Sequence, residues 1–70
     1  MIKYEIVNMS FSSGLAFISN YPHNIVSAIA IGVDHGVFPF ISDRVTNSYG
    51  FRISSGETNT RTVMIFYIDF

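Results

Sequence analysis

From Ile2 to Val7 the chain alternates, with Ile2, Tyr4 and Ile6 on one side of an extended backbone and Lys3, Glu5 and Val7 on the other. That two-residue period marks a half-buried strand, which continues or resumes through Met9 and Phe11. Ser12, Ser13 and Gly14 break it, and Leu15 to His23 reads as a connection with a short strand near Ala16 to Ile18, ending in Asn20, Tyr21 and Pro22. Ile25 to Val33 is almost continuously apolar and rich in β-branched residues, which predicts a strand buried on both faces. On it Ile25, Ile29, Ile31 and Val33 share one side, and the smaller Val26, Ala28, Ala30 and Gly32 share the other.

Asp34, His35 and Gly36 then predict a tight turn, followed by a strand from Val37 to Thr46 with Pro39 marking an edge or a bulge near its beginning. Asn47, Ser48, Tyr49 and Gly50 carry turn chemistry before a strand from Phe51 to Ser54. Ser55 to Asn59 supplies the next loop, and the last strand runs from Thr60 or Arg61 to Phe70. Both faces of this last strand are largely apolar: Met64, Phe66, Ile68 and Phe70 on one, Val63, Ile65 and Tyr67 on the other, with Asp69 the exception. No helix, repeat or low-complexity linker is evident. Five or six short strands joined by turns predict an all-β fold, a small antiparallel β-sandwich over residues 1–70 as a single domain.

Size sharpens the picture. A domain of 70 residues buries only about 60% of the surface its unfolded chain exposes, and such domains rely on disulfides, a metal or a partner chain. The sequence holds no cysteine, so the first remedy is closed. With 49% apolar and only 13% charged residues, against about 25% charged in typical soluble domains, the chain has more apolar side chains than one small core hides. The terminal strand, apolar on two sides, needs cover on one of them from another copy. Oligomerisation is the expectation.

Charge excludes more than it identifies. The formal net charge is −1, and Lys3, Arg44, Arg52 and Arg61 are scattered, so nucleic-acid binding by phosphate neutralisation is not expected. The apolar stretches are broken well before the ~18 residues a membrane helix needs, and no membrane insertion is expected.

The order of features resembles a known family. An aromatic follows an early strand (Val7 to Phe11), a loop ends in proline (Phe17 to Pro22), a small-apolar strand ends in Val-Asp (Ile25 to Asp34), Thr46 to Phe51 carries Asn-Ser-Tyr-Gly-Phe, and an aromatic strand closes the chain (Val63 to Phe70). In this the chain is similar to the C-terminal tip domains of bacteriophage tail fibres, whose sandwich is H-type-lectin-like. The resemblance implies a viral protein at the distal tip of a virion's tail fibre, the C-terminal part of a longer fibre protein. It further implies a homotrimer around a threefold axis that attaches to a host through a bacterial surface saccharide or protein. The stretch Ser55 to Thr62 lacks the Trp-His pair of sugar-binding H-type lectins, so no sugar site transfers residue by residue.

Candidate chemistry is sparse. No Gly-x-Ser-x-Gly elbow surrounds a serine, and Glu5, Asp34, Asp43, Glu57 and Asp69 are spread singly, so no catalytic residues, metal ligands or cofactors are expected and the chain is read as a non-enzyme. His23 and His35 read as exposed loop residues. Asp69, between Ile68 and Phe70, is expected at a solvent-exposed strand end; if buried it needs a partner such as Arg44, Arg52 or a neighbouring chain. Aromatic rings beside amides and hydroxyls can stack on a sugar face and hydrogen-bond its hydroxyls. The candidate ligand-binding residues on that ground are Tyr21, His23, Asn24, His35, Asn47, Tyr49, Asn59 and Arg61. Two alternatives stay open beside the receptor-binding tip: a trimerisation cap or intramolecular chaperone that touches no receptor, and an unrelated small oligomeric binding protein or a subdomain of an enzyme complex.

Overall fold

The computed structural model describes residues 1–69. Six strands form: β1 (Ile2–Phe11), β2 (Leu15–Ile18), β3 (Asn24–Ala30), β4 (Gly36–Asp43), β5 (Ser48–Ile53) and β6 (Asn59–Ile68). All pairings are antiparallel, the spatial order is β1-β6-β3-β4-β5-β2, and the described residues contain no helix. The fold is all-β, as the alternating pattern predicts.

The connection from β1 to β2 forces the shape. These strands stand at opposite ends of the order, yet only Ser12–Gly14 separates them in sequence. Flat, the two edges would lie about 24 Å apart at the usual strand spacing, far beyond what that turn can span. The sheet therefore curls until its edges meet at one corner, where Ser12 N donates to Leu15 O (2.8 Å) and Leu15 N to Ser12 O (3.1 Å). Gly14 is required there: its φ is +83°, and an added Cβ would sit 2.9 Å from Gly56 Cα.

Curling divides the sheet into a core face and an outer face. Phe51, Ile53, Val63 and Ile65 are fully enclosed on the core face, with Met9, Phe11, Ala16, Ala28 and Val37 around them. The outer face differs along the sheet. On the β1-β6-β3 half, Ile2, Tyr4 and Ile6 lie beside Ile68, Phe66 and Met64 in register, and Ile29 beside Met64; Ile2, Tyr4 and Ile6 are 62%, 59% and 53% exposed. On the β4-β5-β2 half, the Phe40 ring lies in the space a side chain on Gly50 would fill, and Phe17 meets it edge-on with centroids 6.3 Å apart. An aromatic laid over a glycine in this way covers backbone that the missing side chain leaves bare.

Four expectations change. The third strand stops at Ala30, not Val33, and it is not buried on both faces, because Val26 and Ile29 are exposed. A bulge between Ile25 and Ser27 swaps the faces: Ile25 now shares the core side with Ala28 and Ala30, opposite Ile29. The fourth strand starts at Gly36 and ends at Asp43, short of Thr46, and the turn is Arg44–Asn47, so Tyr49 and Gly50 belong to β5 rather than to a loop. Finally, β6 ends at Ile68, one residue before Asp69, and Phe70, to which the strand is expected to run, lies outside the described residues. Pro39 falls where β4 pairs with β5 alone, since β3 touches β4 only through Ala28↔Val37 and Ile29↔Gly36. A residue with no N–H is tolerated on that open side.

Candidate functional site

The candidate residues gather at the two ends of β6, about 20 Å apart over the six residues from Arg61 to Tyr67. Tyr21, His23, Asn24, Asn47 and Tyr49 meet at one end. His35, Asn59 and Arg61 lie at the other, beside Glu57.

At the first end Asn47 holds the loop between β2 and β3. Its φ of +54° is a left-handed conformation that asparagine accepts more readily than most residues, and it closes the turn from β4 into β5. From that position its Nδ2 donates to Tyr21 O (2.9 Å) and His23 O (2.7 Å), while its own carbonyl accepts from Tyr21 N (3.0 Å). Both amide protons are thereby committed to the loop, which leaves Oδ1 as the atom Asn47 has for a ligand.

Tyr21 and Tyr49 are core residues, 6% and 5% exposed. Tyr21 meets His23, Tyr49 and Tyr67 edge-on, with centroids 6.1 to 6.2 Å apart, an orientation that sets positive ring edges against negative ring faces. Its hydroxyl donates to Glu5 Oε1, and the Tyr49 hydroxyl accepts from Ile25 N at 3.2 Å. Burial, then the bond to Glu5, pushes the Tyr21 phenol far above the usual tyrosine range. These rings support the site from beneath.

What faces outward is His23, stacked on Tyr67 at 4.3 Å with the ring planes 11° apart. A pocket of about 120 Å³ opens beside it, lined by Pro22, His23, Asn24, Asn47 and Ile68. That is well below the ~300 Å³ at which drug-sized pockets begin, so it suits one small group, such as a single ring or a side chain. Lys3 and Asp69 border His23: Lys3 Nζ stands 2.9 Å from Asp69 Oδ2, and His23 Nδ1 stands 4.0 Å from Asp69 Oδ1. The bond to Lys3 holds the Asp69 carboxyl below the usual carboxylate range and raises Lys3 in turn.

The far end is built differently. Arg61 donates through Nε to Glu57 Oε2 and through Nη2 to Glu57 Oε1 (2.9 Å), a two-pronged pair. It lowers the Glu57 carboxyl and raises Arg61. His35 Nε2 lies 4.0 Å from Glu57 Oε1, and Asn59 Oδ1 accepts from the following amide, Thr60 N, at 2.9 Å. Glu57 O accepts from Gly14 N and Thr58 Oγ1 from Ser13 N, both at 2.9 Å, which ties this loop to the corner where the sheet edges meet. The groups here bind one another.

Sequence reasoning did not include Lys3, Glu5, Pro22, Tyr67, Ile68 and Asp69 in the candidate set. One signal stood near them: Asp69, an acid beside an apolar strand, is expected at an exposed strand end and needs a partner only if buried. It lies at the end of β6 as expected, and its partner is Lys3 rather than Arg44 or Arg52. Comparison with protein-family models, with curated proteins and with solved structures finds no match for this chain.

Proposed function

We propose that this chain is a non-catalytic recognition module, the receptor-binding tip of a bacteriophage tail fibre. In this reading it works as a homotrimer at the distal end of the fibre and grips a bacterial surface saccharide or protein with its loops. The observation that carries it is the pocket at His23, whose ring is stacked on Tyr67 and which shares the pocket wall with Asn24 and Asn47. An imidazole ring backed by Tyr67, beside the two amides, is a surface that can hold one sugar residue or one polar side chain. A sandwich of the H-type-lectin kind is supported by the two-pair junction between β3 and β4, which lets β1-β6-β3 and β4-β5-β2 act as two layers.

Self-association is supported by the exposed Ile2, Tyr4 and Ile6 on the outer face, since covering each such side chain completely is worth about 1.5 to 3 kcal/mol. The burial of Tyr21 and Tyr49, and the mutual pairing of Glu57 with Arg61, favour one competing reading: an assembly cap that registers fibre chains and touches no receptor. A glycan array and host adsorption, measured for the native chain, His23→Ala and Asn24→Ala, separate the two. Binding that falls at least tenfold in both variants while assembly is intact upholds the receptor-binding tip. Adsorption unchanged in both moves the assignment to the cap.

A further inference from the structure

Strand β1 carries an open edge whose sequence is complementary to itself. Asp69 N donates to Met1 O at 2.9 Å and the Met1 amino group donates back to Asp69 O, so Met1 and Asp69 form a hydrogen-bonded pair of the ladder. In an antiparallel ladder such pairs recur at every second residue. Lys3, Glu5 and Val7 therefore point their backbone groups at β6, and Ile2, Tyr4 and Ile6 point theirs away from it. β1 is the last strand of the order, with β6 its only ladder partner among the described residues. It meets β2 only at the Ser12 corner, so the row of N–H and C=O groups on Ile2, Tyr4 and Ile6 stands at a free edge.

The opposite edge is protected and this one is not. β2 has four residues, and Leu15, at its start, already exchanges both backbone bonds with Ser12. β1 has ten residues, with no proline and no bulge in its pairing. A long, regular edge of this kind is a template for another strand.

We propose that β1 pairs antiparallel with β1 of a second copy of this chain, centred on Tyr4 facing Tyr4. In that register Ile2 lies opposite the other copy's Ile6, so the apolar outer faces run on from one copy to the next. Lys3 lies opposite the other copy's Glu5, twice by symmetry, in the closer type of pair with Cα atoms about 4.5 Å apart. Glu5 Oε1 accepts from the Tyr21 hydroxyl, which leaves Oε2 for an incoming ammonium that, like this chain's own Lys3, also stands 2.9 Å from its Asp69 Oδ2. Charge fixes the register. One step to either side sets Lys3 against Lys3 or Glu5 against Glu5, and like charges directly opposite are destabilising. Sliding further, to Ile6 against Ile6, gives up both ion pairs.

The contact is twofold and isologous. It is independent of the fibre reading: on a threefold assembly it links two trimers into six chains, and without a threefold it gives two. The chain has no cysteine, so single cysteines report the register under mild oxidation at micromolar concentration. Residues facing in a hydrogen-bonded pair have Cα atoms about 5.5 Å apart, within disulfide reach. Tyr4→Cys is expected to form covalent dimers in clear excess over Ile6→Cys, and Ile2→Cys combined with Ile6→Cys to form more than Ile6→Cys alone. Native mass of the unmodified protein is expected to give an even number of chains. Tyr4→Pro, which removes an outward N–H and leaves the bonds to β6 intact, is expected to halve that number with an unchanged circular dichroism spectrum. Three chains by native mass, or cross-linking of Ile6→Cys as complete as that of Tyr4→Cys, would overturn the edge pairing. The first of these results leaves the fibre-tip reading standing, so the two fail separately.

Discussion

The two ends of β6 hold their loops by opposite means. Around Tyr67 the loop is clamped by buried rings and by neutral hydrogen bonds from Asn47 to backbone carbonyls. Around Arg61 it is held by a half-buried charged pair, Arg61 with Glu57, and by main-chain contacts to the corner turn. Both sets of bonds are half-buried and differ in charge. A carbonyl stripped of a neutral donor carries a desolvation cost that salt does not change, whereas an ion pair that water still reaches competes with salt. A pocket lies at the end supported by the rings. Its side chains are positioned by groups that are not themselves exposed, and so His23 and Asn24 are presented without being needed to hold the loop's backbone.

The largest change erases this contrast. Phe51 is fully enclosed beneath both ends, and Phe51→Ala is expected to cost about 3 to 5 kcal/mol, enough to unfold a domain of this size; urea denaturation measures it. Asn47→Ala is next, at about 2 kcal/mol for two lost bonds and two stranded carbonyls. It should act on the Tyr67 end alone, with amide exchange accelerating at Tyr21 while the Gly14 amide, bound to Glu57 O, stays protected.

Tyr21→Phe removes the bond to Glu5 while keeping the ring, and about 1 kcal/mol is expected, a charge-assisted bond discounted for a solvent-accessible acceptor. It also carries a signature in alkali. Because the Tyr21 phenol is raised in the folded state, its contribution is complete below the ordinary tyrosine value near 10 and is lost as pH rises above it. Tyrosinate absorbance of the native protein should therefore include one component that appears only with unfolding, and Tyr21→Phe should lack it.

The smallest effects belong to the ion pairs, which water still reaches. Glu57 and Asp69 are lowered in the folded state by Arg61 and Lys3, so what they add is present above the usual carboxylate range and fades as pH falls through and below about 4. Arg61→Ala and Lys3→Ala should flatten this acid limb of a melting-temperature profile. High salt should flatten it in the native protein as well, and should leave the Asn47→Ala deficit untouched. A salt-sensitive Asn47→Ala deficit would break the contrast between the ends.

The sequence by itself determined the all-β class and most of the strands, because side-chain alternation and the clustering of Ser, Asn and Gly are local properties. It also determined that the last strand is apolar on both sides. Only the tertiary structure decided which face of β3 is inside, since a single bulge at Val26 exchanges every side chain beyond it and leaves no mark in the hydrophobic pattern. The same holds for Tyr49, whose place in β5 rather than in a turn depends on the turn closing at Asn47, and for the meeting of Lys3 with Asp69 and of Glu5 with Tyr21. Those contacts join residues far apart in the chain through the β1–β6 register and the curl imposed by Ser12–Gly14. No local signal encodes a distance across a curled sheet, and that distance is what assembles the site.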